Sequence, residues 1–168
     1  MNIIAIDTET TGLDPIVDEI IQFSAVDFDG NKLADFLIKP LFHEDWPEAE
    51  KVNHIPPEAV KDCPTVFDIM GEIQSVLKGA DLIVGYNVNF DLNFLRHSNI
   101  KIPDVETLDV KKIFERMKNE VAADGISLKW QSLIKCAEYY GYDWNGAPHD
   151  GLADARATMF CFRKIFGI

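Results

Sequence analysis

The chain opens with an unbroken apolar run, Ile3 to Ile6, that is followed at once by the carboxylates Asp7 and Glu9. A continuous apolar run of this kind is typical of a central strand that is buried on both faces of a sheet. Because side chains alternate along an extended chain, Asp7 and Glu9 point to one face and Thr8 points to the other. The pattern therefore predicts a buried strand whose end presents two carboxylates on the same side, where both can reach one cation.

The segments that follow this strand predict a mixed α/β fold. Alternating residues over 20–28, a turn at Asp29-Gly30 and a further strand over 32–39 predict an antiparallel three-stranded start. Further strands are predicted at 82–84 and 105–108, and helices at 58–61, 65–79, from Asn89 onward, 109–119, 128–140 with Ser127 as its start, and 150–166. Strands first, and then strands alternating with helices, indicate a mixed sheet that is covered by helices.

Length and charge limit the class of protein. The 168 residues, 1–168, are predicted to form a single domain, because this length is close to that of one typical domain. Lys and Arg number 16 and Asp and Glu number 28, which gives a net charge of −12. This balance argues against a broad basic face that grips long duplex nucleic acid. It leaves room for nucleic acid chemistry at a metal site, since carboxylates that hold cations contribute to the same excess.

Three features predict a cytoplasmic location. The cysteines, Cys63, Cys136 and Cys161, are odd in number and widely separated, which is typical of reduced thiols. The first residues lack the basic region of a signal peptide, and Asp7 interrupts the apolar run early. No apolar run approaches the ~20 residues that a membrane span requires.

Two further acids lie where elements begin or end. Asp91 follows the predicted strand at 82–84, and Asp154 lies in the first turns of the last helix, five residues after His149. Carboxylates without neighbouring cysteines favour hard cations such as Mg²⁺ or Mn²⁺ over zinc. Two such ions can activate a water and stabilise a leaving oxygen at a phosphodiester, and His149 could take the proton of that water. The alternative for each acid, taken alone, is a turn or a helix cap.

Three motifs in order carry a resemblance to a known family. They are Asp7-Thr8-Glu9-Thr10-Thr11-Gly12-Leu13, then Asn87-Val88-Asn89-Phe90-Asp91, and then His149-Asp150-Gly151-Leu152-Ala153-Asp154-Ala155. From Ile3 to about Phe162 the chain resembles the DEDDh family of 3′-to-5′ exonucleases, which includes the proofreading subunit of bacterial replicative DNA polymerases, ribonuclease T and oligoribonuclease. The resemblance implies a ribonuclease H-like fold, with a five-stranded mixed sheet and helices on both faces. Gly151 departs from the family pattern, in which many relatives carry Ala.

The resemblance also assigns roles to individual residues. It implies that Asp7, Glu9, Asp91 and Asp154 hold two divalent metal ions, Mg²⁺ or Mn²⁺, and that His149 is the general base. Residues implied to contact the substrate are Thr10, Gly12, Leu13, Glu48, Asn53 and Asn87. Relatives often carry His-Gly-Ile-Thr where this chain has Asn53-His54-Ile55-Pro56, so that Asn53 takes the place of His and His54 the place of Gly.

The activity implied by the resemblance is hydrolysis of terminal phosphodiesters of single-stranded DNA with release of nucleoside 5′-monophosphates. Trimming or degradation of RNA is the alternative, because no residue pattern decides whether a 2′-hydroxyl is required. A catalytically silent nucleic-acid-binding module would have lost a ligand, and all five motif positions are filled. A structural Ca²⁺ protein is disfavoured, because the chain has no D-x-[DN]-x-[DN]-G loop.

The predicted partners are 3′ ends of single-stranded nucleic acid and a DNA polymerase subunit. The lysines and arginines are scattered along the sequence, which favours a short footprint of a few nucleotides. Four aromatic residues could stack on bases, and core packing is the alternative for each of them: Tyr86, Phe90, Trp130 and Trp144.

Overall fold

The computed structural model describes residues 1–144 and 148–168. Five strands form one sheet: β1 (Ile3–Thr10), β2 (Ile20–Val26), β3 (Lys32–Leu37), β4 (Leu82–Gly85) and β5 (Glu106–Asp109). They lie in the order β3-β2-β1-β4-β5, with β2 antiparallel to β1 and β3, and β4 parallel to β1 and β5. The carboxyl ends of β1, β4 and β5 therefore meet at one edge of the sheet.

Helices cover this sheet. The described residues form α1 (Pro47–Asn53), α2 (Pro57–Val60), α3 (Val66–Lys78), α4 (Val88–His97), α5 (Val110–Lys118), α6 (Leu133–Tyr140) and α7 (Gly151–Phe166). Among these helices, none has both the length and the apolar character that a membrane crossing requires.

The central strand β1 is buried between two apolar cores. Ile4 and Ile6 belong to the core that the sheet shares with α3 and α4, whereas Ile3 and Ala5 belong to the core that it shares with α5, α6 and α7. Alternation of side chains along β1 thus sends odd-numbered residues toward α7 and even-numbered residues toward α4. The predicted five-stranded mixed sheet with helices on both faces is confirmed.

Several predicted elements are confirmed, including the antiparallel three-stranded start and the last helix. The helix predicted over 65–79 is α3, and Thr65 caps it as expected. Its hydroxyl and the Asp68 carboxylate form a reciprocal capping box, which satisfies amides at the start of the helix.

The connection between β3 and α3 contains a helix that the sequence analysis missed, α1. Pro47 occupies its first turn with the acids Glu48 and Glu50, a composition that favours a helix start. The side chain of Trp46 is buried before it and donates a hydrogen bond to the Ile55 carbonyl at 2.7 Å. This long-range contact stabilises a helix too short for apolar periodicity to reveal.

Two predicted helix starts are wrong. Asn89 lies inside α4, which begins after Asn87, and α6 begins after Ser132 instead of Ser127. Residues 121–128 instead form a tight turn that is closed by an antiparallel bridge between its ends. The Asp124 carboxylate accepts the amides of Ile126 and Ser127 at 2.9 Å, and this local bonding competes with helix formation.

Candidate active site

Three of the predicted carboxylates meet at the end of β1. Asp7 and Glu9 lie on the face of β1 that packs against α7, and Asp154 lies in the first turn of α7. One carboxylate oxygen from each of the three residues lies within 4.8 Å of the others. Alternation along the strand and the position of the helix start thus bring together residues that are almost 150 positions apart in the chain.

The start of α7 is fixed against β2 by hydrogen bonds. The Asp150 side chain accepts the amides of Leu152 and Ala153 at 3.0 and 3.1 Å, and the Gly151 amide donates to Gln22 Oε1 at 3.1 Å. Gln22 pairs with Glu9 in the register of β1 and β2. These contacts hold the first turn of the helix directly over the acids of β1.

Gly151 allows this close approach. A Cβ atom at position 151 would lie 2.9 Å from the Ser24 Oγ atom and 3.2 Å from the Gln22 side chain. Both polar side chains are held by the Asp35 carboxylate, each at 3.0 Å. The glycine that departs from the family pattern therefore stands where helix and sheet are in direct contact.

Asp91 reaches the edge from the opposite face of the sheet. It is 4% exposed and lies in the first turn of α4. Its Oδ1 atom accepts hydrogen bonds from the Thr8 amide at 2.9 Å and the Thr8 hydroxyl at 2.8 Å. Thr8 points away from Asp7 and Glu9, so β1 holds the three-acid cluster on one face and Asp91 on the other.

Burial and mutual repulsion raise the pKa values of these acids. Burial, and then the charges of Asp154, Asp91 and Glu9, raise the pKa of Asp7 well above its usual range. Burial, and then the charges of Asp154, Asp91 and Asp150, raise the pKa of Glu9 to about 8, and burial raises the pKa of Asp154 to about 7. Burial also raises the pKa of Asp91 to about 7, although the hydrogen bonds from Thr8 act in the opposite direction.

This electrostatic arrangement is suited to a hard cation. A cluster of carboxylate oxygens has its charge neutralised when a divalent ion binds, and the set of donors is the one that Mg²⁺ or Mn²⁺ prefers. The chemistry of the three side chains Asp7, Glu9 and Asp154 thus fits a metal centre.

His149 lies next to the cluster. Its backbone amide donates to Asp154 Oδ1 at 3.2 Å, its φ is 67° and its side chain is exposed. Together with Pro148 and Asp150 it lines a cleft of about 740 Å³, which Asn53 and His54 also line. His149 therefore lines the cleft and contacts Asp154 through its backbone amide.

The segment after β1 connects this cleft to the site. The side-chain amide of Asn53 donates to the Thr10 carbonyl at 3.2 Å, and the Thr10 hydroxyl donates to the Gly12 carbonyl at 2.6 Å. Gly12 packs against the Asp18 carboxylate so closely that a Cβ atom would overlap with it. Leu13 is 85% exposed at the tip of this segment.

The other predicted substrate contacts occupy different positions. Glu48 is exposed on α1 and forms an ion pair with Lys51 at 2.6 Å. Asn87 is exposed and adopts a φ of 73° at the start of α4, where its amide donates to Asp109 Oδ1 at 3.1 Å. His54 has a φ of 58°, a conformation that favours glycine, and it occupies the position where relatives of the family carry Gly.

Three residues that support the site were missed from the sequence: Thr8, Gln22 and Asp35. Alternation along β1 could have placed Thr8 opposite the acids, but its partner Asp91 is 83 residues away. Gln22 lies on β2, which pairs with the central strand, and Asp35 lies on β3, which pairs with β2. The sequence signals them only as polar residues within predicted strands.

Curated relatives include polymerases and RNA exonucleases. The chain is 32% identical over 165 residues to the DNA polymerase III PolC-type of Thermotoga maritima, covering 96% of this chain and 12% of that protein. It is 28% identical over 163 residues to the DNA polymerase III subunit epsilon of Treponema pallidum, covering 96% and 74%. It is 30% identical over 174 residues to RNA exonuclease 4 of Mycosarcoma maydis, covering 97% and 42%. The chain thus spans about an eighth of the first of these proteins.

A solved structure with the same fold is the nuclease domain of 3′hExo, a DEDDh family member bound to rAMP. It superposes with a TM-score of 0.74 at 18% identity over 99% of this chain and 92% of that one. Residues 4–162 also match the sequence profile of the family described as Exonuclease, RNase_T. With this match over nearly its whole length, the chain belongs to the exonuclease family that its three motifs predicted.

Proposed function

We propose that this chain is a metal-dependent 3′–5′ exonuclease that hydrolyses the terminal phosphodiester of single-stranded DNA and releases nucleoside 5′-monophosphates. The observation that carries the proposal is the cluster of Asp7, Glu9 and Asp154, whose oxygens lie within 4.8 Å of one another. Family membership supports nuclease chemistry, and the acids supply the ligands that this chemistry needs.

Asp7, Glu9 and Asp154 are proposed to hold one divalent ion, and a second is proposed to be held mainly by Asp7, with Asp91 in outer-shell contact. Bound Mg²⁺ or Mn²⁺ supplies an acidified water and stabilises negative charge on phosphodiester oxygens. Asp91, fixed by its two hydrogen bonds from Thr8, keeps a carboxylate directed at the edge of the sheet where β1 and β4 end. The proposal explains why four acids with raised pKa values are retained in one place.

His149 is proposed to accept the proton of the attacking water. The bond from its amide to Asp154 keeps the residue beside the acid cluster, and its exposed side chain is free to approach substrate in the cleft. A general base must lie within hydrogen-bond reach of the proton that it takes. Thr10, Gly12, Leu13, Asn53 and Asn87 are proposed to position the terminal nucleotide; Glu48 is proposed as a further contact once released from Lys51.

A second candidate substrate is RNA. The 30% identity to RNA exonuclease 4 of Mycosarcoma maydis favours this alternative, whereas the PolC-type and epsilon relatives favour DNA. We also propose that residues 1–168 act as one exonuclease domain and that a DNA polymerase subunit is a partner, on the strength of the two polymerase relatives. Copurification with the polymerase of the same organism tests the partner.

A single experiment tests the activity and its substrate. DNA and RNA oligomers of one sequence, each labelled at the 5′ end, are incubated with the protein and with Mg²⁺, Mn²⁺ or a chelator. A ladder of products that shorten from the 3′ end, in DNA and only with metal, is the expected result. A ladder with the RNA oligomer alone identifies RNA, the second candidate, as the substrate in place of DNA. Absence of shortening in both polymers, or shortening that the chelator leaves unchanged, contradicts the proposal.

A further inference from the structure

The lysines and arginines are scattered along this acidic chain, but they are densest in one stretch. Residues 110–135 contain six lysines and arginines and three acids, a local excess of three positive charges in a chain whose net charge is −12. The stretch comprises α5, the turn over 121–128 and the start of α6. We call the part formed by Lys111, Lys129 and Trp130 the Lys111–Trp130 surface.

The ring of Trp130 faces solvent. The residue is 61% exposed, and the Lys111 Nζ atom lies 5.6 Å from the ring centroid. The other aromatic candidates for base stacking are engaged elsewhere. Phe90 packs on Phe94 with ring centroids 4.8 Å apart, and Trp144 packs on its neighbour Tyr142 at 5.2 Å. Trp130 thus presents a large aromatic surface to solvent, whereas Phe90 and Trp144 pack on neighbouring rings.

The surface adjoins the proposed active site through Tyr86. This side chain follows β4 and donates hydrogen bonds to the carbonyls of Gln131 and Ser132, each at 3.0 Å. Tyr86 also immediately precedes Asn87, which starts the helix that carries Asp91. Because Gln131 directly follows Trp130, its hydrogen bond from Tyr86 connects Trp130 to the edge of the sheet where the acids lie.

A second connection runs through β5. Asp109, at the end of that strand, accepts the Asn87 amide at 3.1 Å and caps the helix that begins with Lys111 and Lys112 in its first turn. β5 is two strands away from β1, which corresponds to about 10 Å across the sheet. The Lys111–Trp130 surface thus lies on the β5 side of the edge that carries Asp91, away from β2 and β3.

The ion pairs around the surface leave part of its charge available. Lys118 and Lys129 share Glu120 at 3.7 and 3.6 Å, so one acid faces two lysines. Lys129 and Glu120 are both exposed, and such pairs contribute little to stability in water. Within residues 1–144 and 148–168, Lys111 has no carboxylate in salt-bridge range and lies over the Trp130 ring instead.

We propose that the Lys111–Trp130 surface binds the single strand upstream of its 3′ end, with a base stacked on Trp130 and phosphates on Lys111 and Lys129. The inference rests on the proposed exonuclease function and names the path of its substrate. An exposed aromatic ring beside lysines is the arrangement that holds single strands without sequence preference, since every base has a face that can stack. A duplex would not offer its bases to the ring.

The test compares a long substrate with one that ends before the surface. The long substrate is a single-stranded 12-mer, and the short one is the p-nitrophenyl ester of thymidine 5′-monophosphate, which carries only the terminal nucleotide. Trp130→Ala is expected to raise the KM for the 12-mer about tenfold or more with little change in kcat, and to leave hydrolysis of the ester unchanged. Trp130→Phe, which keeps an aromatic face, should restore most of the KM.

Two controls make the comparison specific. Phe67→Ala removes a ring that is similarly exposed, at 54%, on α3 on the other side of the sheet. It should leave both the KM for the 12-mer and hydrolysis of the ester unchanged. Lys111→Gln should lower the slope of log affinity against log salt by about one, whereas Lys78→Gln on α3 should not. An unchanged KM for Trp130→Ala, or an equal loss with the ester, overturns the proposal.

Binding without hydrolysis separates this inference from the proposed function. Fluorescence anisotropy of a labelled 12-mer, measured in EDTA, reports affinity whether or not the protein is a nuclease. If the wild-type protein hydrolyses neither substrate, the proposed exonuclease function fails on its own. The surface is then supported by binding at least about tenfold weaker for Trp130→Ala than for wild type, and it is overturned by equal or absent binding.

Discussion

The two faces of β1 hold carboxylates in opposite ways. On the face toward α4, Asp91 is buried and receives two hydrogen bonds from Thr8, at 2.8 and 2.9 Å. On the face toward α7, the main influences on Asp7 and Glu9 are burial and the negative charge of their neighbours. Asp154 is intermediate, since it also receives the His149 amide. One face supplies donors for its acid, and the other brings acids together.

This difference assigns different tasks to the two faces. A carboxylate that is fixed by hydrogen bonds is positioned by the protein alone, so Asp91 keeps its place with or without a ligand. On the other face, the His149 amide is the one donor to the three acids among the described residues, so the acids repel one another in the folded state, and a cation removes that repulsion. Under the proposed assignment, the α7 face is therefore stabilised by a bound metal, whereas the α4 face is stabilised by Thr8.

The largest expected effect comes from breaking the α7 face. Asp7→Asn replaces a charged ligand by a neutral amide and should reduce exonuclease activity to background, because bound metal supplies several kcal/mol of transition-state stabilisation. The same substitution removes one of the repelling charges, so the metal-free variant should be at least as heat-stable as wild type. Activity assays and thermal unfolding in EDTA measure the two results. A folded Asp7→Asn protein with undiminished metal-dependent hydrolysis would contradict the site.

Replacing the proposed base should have the next largest effect. His149→Ala leaves the amide bond to Asp154 in place and should lower kcat by roughly 10²–10⁴ while metal binding persists. The pH–rate profile should lose the limb that depends on the imidazole, and titration with Mn²⁺ should give the wild-type affinity. His54→Ala, at another residue that lines the cleft, is the matched control and should retain that limb. An unchanged profile for His149→Ala rules out its role as base.

These two faces were predictable from the sequence to different degrees. The apolar run that ends on Asp7 and Glu9 implies their shared face through strand alternation alone, and the motif in the last helix adds Asp154. The bond between Thr8 and Asp91 depends on the packing of α4 against the sheet, which no local pattern encodes. Gln22 lies under α7 for the same reason.

Local bonding explains where the prediction of elements failed. The apolar residues around 128–134 continue a helical period, and for that reason the helix was placed too early. The turn over 121–128 is set by the carboxylate of Asp124 and a bridge between the ends of the turn, which periodicity does not detect. Trp130 follows this turn by two residues and lies exposed before α6 begins.

Weakening the α4 face should have a moderate effect. Thr8→Val removes the hydroxyl and leaves the backbone amide as the remaining Thr8 donor to Asp91. A hydrogen bond to a charged group contributes about 1.5–3 kcal/mol to the stability of the folded state, and this contribution is lost. In the metal-free protein that bond lowers the pKa of Asp91, so its loss raises the pKa further and increases the protonated fraction at neutral pH. We expect kcat/KM at limiting Mg²⁺ to fall about tenfold at pH 7 and the deficit to shrink toward pH 9. Thr8→Ser keeps the hydroxyl and should retain most of the activity; equal losses in both variants would show that the hydroxyl is not the cause.

The smallest expected effect is on thermal stability, and it compares the two faces of β1 without any substrate. In the metal-free protein the pKa of Glu9 is about 8 and that of Asp154 is about 7, whereas carboxyl groups in an unfolded chain titrate near about 4. The folded state therefore binds more protons than the unfolded state between these values, and its stability must fall as pH rises through this window.

Mg²⁺ should reverse this loss, because it binds the folded state and replaces the protons. At a concentration of 100 Kd it contributes about 2.7 kcal/mol, which for a chain of this length raises Tm by about 5–10 °C. We expect this rise at pH 8 and a clearly smaller one at pH 5.5, where the acids of the α7 face are protonated. Thr8→Val should keep the pH-dependent rise, since the α7 face is intact in that variant, and Asp7→Asn should lose most of it. An equal rise in Tm at both pH values, or a rise in Asp7→Asn equal to that of wild type, would show that the ion binds elsewhere. The two faces of β1 would then not differ as a metal-binding face and a hydrogen-bonded face.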